Sequence, residues 1–338
     1  MKRNLCAYNE IWTNCYDNMV LTLLKYINGN TNIAYKNEYD YSFVTNTTID
    51  GEIVNSVRYG EELLELSEFA DITYSEIVYS DEKLINKIKK YVYDDNCFVA
   101  INVDLFDWLP KGVCYKKYHW THYSWISDYI CKDDKFKIFD EEHGHLIETF
   151  ITPEKICNCV KKDAPNSLMF VKLNKMEYSP LFTLADVYDN AKNILYLISQ
   201  KKEMTYYKMN DNNYKVLYFM DLNVIHLQRI EQRHKANSRL IEMINNAVGG
   251  DEILIDCAKR FRELETQWNK LRLMLIKLYY CDSNRILRIE KINEKLNKCF
   301  DLESVLWDNI IKRLVLVKDD EVINTCFKSI LQKTRFNE

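Results

Sequence analysis

Thr13-Asn14-Cys15-Tyr16-Asp17-Asn18-Met19-Val20 places one cysteine where a loop turns into an apolar helix. Backbone N–H groups at a helix start, with the positive end of the helix dipole, favour a thiolate and can hold a developing oxyanion. A cysteine nucleophile also needs a base and a group to orient that base. Both stand far along the chain. His122 opens Thr121-His122-Tyr123-Ser124-Trp125-Ile126-Ser127-Asp128-Tyr129, and Asp140 ends Lys135-Phe136-Lys137-Ile138-Phe139-Asp140. Cys15, His122 and Asp140 together make a candidate acyl-transfer triad. His119 is the competing imidazole, but residues three apart on a strand face opposite sides, so only one of the two can serve. Asp128 is the weaker carboxylate, because it sits by the far turn. A second oxyanion donor has two candidates within chain reach, Asn14 and Asn9, and Asn14 reads equally well as the helix cap alone.

These residues need elements to position them. Residues 15–28 read as a buried helix, with Val20, Leu21, Leu23, Leu24 and Ile27 apolar and Gly29 at its stop. Residues 40–45 read as a strand, 46–51 as a turn, 60–69 as a short helix and 72–78 as a β-rich run. A helix is expected at 81–92 and a strand buried on both faces at 97–104. Strands at 122–130 and 135–139 flank the hairpin turn Cys131-Lys132-Asp133-Asp134. That hairpin brings Asp140 beside His122. A strand at 146–151, a helix from Pro153 to 161 and a strand at 167–173 complete an α+β domain over 1–178.

From 179 to 338 the pattern is almost wholly helical. Cys257, Phe261, Leu264, Trp268, Leu271, Leu275 and Leu278 repeat at 4,3,4,3,4,3, a heptad seam that serves either within the chain or between two copies of it. Gly249-Gly250 breaks two helices, and 214–220 reads as a strand or a loop.

Composition narrows the function classes. With 338 residues and 47% hydrophobic content the chain can build two cores, and 7 Gly and 4 Pro leave little linker. No signal peptide and no run of about 18 apolar residues is seen, so a soluble cytoplasmic protein without membrane contact is expected. The 11 cysteines are scattered and odd in number, which argues for reduced thiols. Cys157 and Cys159 lack a second pair at zinc spacing. His143-Gly144-His145 beside Glu141 and Glu142 has a ligand-like spacing but reads as a polar loop, so no metal is expected. Residues 1–175 carry −7 and residues 176–338 carry +3. Neither half is basic enough for a nucleic-acid binder, though the second could meet an acidic protein.

Asn14-Cys15-Tyr16-Asp17-Asn18 with its apolar helix resembles the start of the butirosin biosynthesis protein H N-terminal domain family. So does Val99-Ala100-Ile101-Asn102-Val103-Asp104 with Trp108-Leu109-Pro110 behind it, followed by the strands of His122 and Asp140. The order Cys, His, Asp is also similar to papain-fold and C39-type cysteine peptidases. The chain departs from the family at Asn14, where members often have histidine, and near Asp128, where a glycine is common. The resemblance covers about residues 9–175. It implies a papain-like fold and passage of an acyl chain from a carrier-protein thioester, through a cysteine thioester, to an amine. An amide synthase of closthioamide-type biosynthesis follows the same logic. The implied partners are an acyl or peptidyl carrier protein, whose phosphopantetheine bears the substrate, and a small amine; no resident cofactor is implied.

On this reading Asp104 is a candidate for binding a cationic amine, against the plainer reading of a strand-end turn residue. The helical half is expected to supply a lid or a carrier-docking surface, because aminolysis needs water kept out. Two alternatives carry the same residues: a papain- or C39-like peptidase or amidase, with water as acceptor, and an inactive papain-like binding module.

Overall fold

The run Phe98–Asp104 is buried at every position but its last, as a strand in the middle of a sheet must be. In the computed structural model the described residues are 5–27, 29–36, 40–47, 53–60, 65–75, 81–94, 97–110, 115–116, 119–142, 145–161, 167–174, 182–200, 223–280 and 285–333. The expected features at 48–51, 61–64, 76–78 and 214–220, and the pair His143-Gly144, lie wholly or in part outside them.

In chain order the elements are α1 (Cys15–Tyr26), β1 (Asp40–Thr47), β2 (Ile53–Gly60), β3 (Ala70–Ser75), α2 (Asp81–Lys89) and β4 (Phe98–Asp104). Then come β5 (Thr121–Ile130), β6 (Lys135–Glu142), β7 (His145–Ile151), α3 (Pro153–Cys159), β8 (Leu168–Leu173) and α4 (Leu184–Ser199). The last four are α5 (Asn223–Ala247), α6 (Glu252–Tyr280), α7 (Arg285–Val317) and α8 (Glu321–Lys333).

The chain divides into two units. One comprises Met1–Thr31 and Leu64–Ser179, the other Asn32–Leu63 and Pro180–Glu338. An unbroken first domain over 1–178 was expected from the sequence. The structure instead groups 32–63 with the helices, because the β1–β2 hairpin packs there.

The first unit is α+β. Its six-stranded sheet runs β3-β8-β4-β5-β6-β7, antiparallel throughout. Strand alternation sends Val99, Ile101 and Val103 of β4, Ile126 of β5 and Phe136 and Ile138 of β6 into one core. Leu84, Ile85 and Ile88 of α2 and Ile156 of α3 cover it. The 131–134 turn closes the β5–β6 hairpin, with Asp134 at φ 44°, a left-handed conformation that Asp tolerates better than most residues. Of the helix expected at 60–69, the described residues show Gly60 as the end of β2 and a 3₁₀ turn at Leu66–Glu68, after which β3 begins at Ala70. The run 53–59, unassigned from sequence, and Gly60 pair as β2 with β1.

The second unit is mostly helical. The heptad residues Cys257, Phe261, Leu264, Trp268, Leu271 and Leu275 are all buried within the chain. Phe261 packs on Trp307, and Trp268 on Phe300, both from α7. The seam is thus filled by the chain's own helices. Gly249 and Gly250 sit at φ 83° and 99°, where only glycine is unstrained, and let α5 turn into α6. Thr183 and Asp186 form a capping box at the start of α4. Among the described residues no helix is long and apolar enough to cross a membrane.

Candidate active site

Cys15 is the first residue of α1, half-buried, with Asn14 in extended backbone conformation as the cap. Asn14 Oδ1 accepts from the Asp17 backbone N–H at 2.8 Å, and Asn14 Nδ2 donates to the Asp17 carboxylate. This satisfies one of the free amides of the first helical turn and holds the helix start in place.

The segment before the helix is fixed by Asn18, which with Thr22 is a fully buried polar residue on the apolar face of the helix. Its Nδ2 donates to the carbonyls of Tyr8 (3.1 Å) and Ile11 (2.8 Å). Its Oδ1 accepts from the Thr13 N–H (2.9 Å) and the Thr13 hydroxyl (3.1 Å). Thr22 adds a bond from the Tyr8 N–H at 2.9 Å. Asn18→Leu keeps the branched shape but deletes the four hydrogen bonds to the carbonyls of Tyr8 and Ile11 and to the N–H and hydroxyl of Thr13. It is expected to destabilise the first unit by about 3 kcal/mol or more, read as a lower urea midpoint; an unchanged midpoint would refute this account of the loop.

The base and its orienter come from the β5–β6 hairpin. Trp125 pairs with Phe139 and Ile126 with Ile138. One step further along that register sets Asp140 beside Ser124 and diagonal to His122. His122 Nε2 and Asp140 Oδ1 are 2.7 Å apart, and on the other side of the ring His122 Nδ1 stands 3.3 Å from Cys15 Sγ. The side chains of His122 and Asp140 are 9% and 2% exposed, so the contacts are shielded from water. The Glu141 N–H donates to Asp140 Oδ1 at 2.6 Å, and the Trp108 indole N–H donates to Asp140 Oδ2 at 2.5 Å.

Burial works against a charged imidazole at this place. The Asp140 charge, then the Cys15 sulfur, and the hydrogen bonds to both outweigh it and raise His122 well above its ordinary value. Burial likewise opposes the Asp140 charge, but the facing His122 and the donors on its oxygens hold its carboxyl below the usual range. The Tyr16 phenol beside Cys15 is pushed up to about 12, first by burial and then by Tyr74, Asp17, Tyr123 and Glu65, so it stays protonated. In an NMR titration His122 is expected to keep its proton well above the pH of about 6.5 at which an exposed imidazole loses it. Asp140→Asn removes the field and leaves the burial, so the midpoint is expected to fall by at least about one unit. A midpoint that does not respond would remove Asp140 as the partner.

Of the two imidazoles weighed from sequence, His122 is the one at the sulfur. His119 lies ahead of β5, exposed, stacked on Phe106 at 4.4 Å, with Nδ1 2.7 Å from Asp104 Oδ2. Asp104 also accepts from the Phe106 N–H at 3.0 Å and faces Lys161 Nζ at 3.4 Å, so its carboxylate belongs to this separate cluster. Asp128 sits at an irregularity of the β5–β6 register and accepts from the Tyr129 N–H. Asn9 is joined to the main chain of Leu146 at both ends of its amide, at 3.0 and 2.8 Å. The side chains of Asn9 and Asn14 are thus hydrogen-bonded to Leu146 and Asp17 respectively. Among the described residues no group of three or more His, Cys, Asp or Glu side chains is placed to hold a metal ion.

Two residues with structural consequences for the site were not singled out for it from sequence. Asn18 had a signal, a lone amide in the middle of an apolar helix. Trp108 had none beyond its place in the short Trp-Leu-Pro run, because its partner is 32 residues away.

Against known proteins the chain matches no family model, and no curated protein matches it.

Proposed function

We propose that this chain is a cysteine-dependent acyltransferase with a papain-like first unit. It would form an amide by passing an acyl group from a carrier-protein thioester, through a thioester on Cys15, to an amine. What carries the reading is one continuous contact chain, Cys15 Sγ to His122 Nδ1 at 3.3 Å and His122 Nε2 to Asp140 Oδ1 at 2.7 Å, starting at a helix N-terminus. The resemblance of residues 9–175 to the butirosin biosynthesis protein H N-terminal domain family adds the acyl carrier and the amine.

In the proposed cycle His122 takes the thiol proton of Cys15 while Asp140 holds the ring and stabilises the imidazolium. The thiolate attacks the thioester carbonyl, and the amide groups at the start of α1 receive the oxyanion. Collapse expels the pantetheine thiolate, which takes the proton from His122. The amine then attacks the Cys15 thioester, neutral His122 accepts its proton, and the Cys15 thiolate leaves as the amide forms.

The test is intact-protein mass spectrometry after incubation with acyl-pantetheine or acyl-carrier thioesters. The expected result is a mass increase of one acyl group that localises to Cys15 and is discharged as an amide when an amine is added. Discharge as free acid alone, unaffected by amines, would replace transferase with hydrolase. Absence of any Cys15 adduct, together with iodoacetamide labelling no faster than at the other thiols, would leave a binding module.

A further inference from the structure

Asp140 is gripped at both oxygens. Oδ1 receives His122 and the Glu141 N–H, and Oδ2 receives the indole N–H of Trp108, in the loop after β4. A carboxylate bound at one oxygen can swing about its Cβ–Cγ bond; one bound at both cannot. Trp108 is itself immobilised: it is fully buried and belongs to the core of Val103, Ile126 and Ile156. Burial of a tryptophan does not by itself call for such a bond in this protein. Trp125 and Trp268 are as deeply buried, and their indole N–H groups have no hydrogen-bond partner among the described residues.

We propose that Trp108 is a positioning residue, whose indole N–H keeps Asp140 an aimed anion and so fixes how the His122 ring faces Cys15. The proposal rests on reading Cys15, His122 and Asp140 as an acyl-transfer group. The groups that face Asp140 are few. His122 comes from β5, with Cys15 of α1 reached only through it, and the Glu141 N–H comes from β6 itself. The Ser124 hydroxyl of β5 is close enough to favour the charge but makes no hydrogen bond of normal geometry. Trp108 is thus the donor on Oδ2 that a single substitution can delete with His122 left in place.

The experiment measures the rate of Cys15 alkylation by iodoacetamide against pH, by mass spectrometry, on the full chain and on its Trp108→Phe variant. Phenylalanine keeps most of the apolar contact and deletes the N–H. The expected result is an acid limb moved to higher pH, by at most the about one to two units that one hydrogen bond to a charged group is worth. A rate lowered equally at every pH, with the limb in place, is what packing alone predicts, and it would overturn the proposal.

A second measurement needs no substitution. In the ¹⁵N-tryptophan-labelled protein the Trp108 indole N–H resonance should shift with pH at the midpoint of that acid limb. An indole signal flat across the limb overturns the proposal even if Trp108→Phe fails to fold. His122→Ala separates the two levels. If it leaves the alkylation rate unchanged, the triad reading itself falls and takes this proposal with it. If the rate depends on His122 but the limb ignores Trp108, only the role of Trp108 falls.

Discussion

His122→Ala is expected to slow formation of the Cys15 acyl adduct by about a thousandfold to ten-thousandfold, and Cys15→Ala to abolish it. The magnitude follows from what the imidazole does. It sits 3.3 Å from the sulfur, is largely shielded from water, and is raised well above its ordinary value by Asp140. It is therefore placed both to balance a thiolate and to return a proton to the leaving thiol. Removing it takes away both functions without moving the helix that holds Cys15.

His119 supplies the internal control. It is three residues away and also paired with a carboxylate, but its partner is Asp104 and its ring stacks on Phe106. His119→Ala is expected to leave the adduct rate within about threefold, on the scale of a surface substitution far from the reacting atoms. Acyl-adduct kinetics by mass spectrometry distinguish the cases, and equal losses from His119→Ala and His122→Ala would refute the assignment.

The second large effect lies in the helical unit and concerns acid. His234 of α5 is fully buried, its ring stacked toward Phe261 and Trp268 at 5.9 Å each. Neither ring nitrogen has a hydrogen-bond partner among the described residues. Glu303 stands 3.7 Å from Nε2, too far for a hydrogen bond, and its oxygens accept from Tyr41 and Trp307 instead. Burial therefore dominates, with Arg233 adding to it, and holds His234 down to about 3.

The sign of the linkage is fixed by that direction. Between about 3 and about 6.5 the unfolded chain carries a proton on this residue that the folded chain lacks, so stability falls as pH falls through that window and is complete above it. The slope contributed by one such group is about 1.4 kcal/mol per pH unit. His234→Leu removes the proton site. Urea unfolding of the helices, followed by circular dichroism from pH 7 to pH 4, should show a markedly shallower loss of stability in the variant. Parallel curves for the two proteins would contradict this account of His234.

Much of this architecture was legible along the chain. The apolar helix behind Asn14-Cys15, the buried strand at 98–104, the 131–134 hairpin and the helical second half all follow from periodicity and turn chemistry within windows of a few to a few tens of residues. The proximity of Asp140 to His122 was legible for the same reason. They are 18 residues apart, and a hairpin register converts that separation into a distance.

Other features belong to the folded chain alone. Cys15 and His122 are separated by 107 residues, and no local pattern states that they meet. The grip of Trp108 on Asp140 depended on a loop packing into a core. The grouping of 32–63 with the helices was decided by Tyr41 and Arg233. Tyr41 donates to Glu303, and Arg233 donates to the carbonyls of Ala34 and Lys36. Local sequence determines which elements form, because backbone hydrogen bonding and side-chain periodicity act over short spans. Which distant elements meet is settled by burial summed over the whole chain, and that sum exists only in three dimensions.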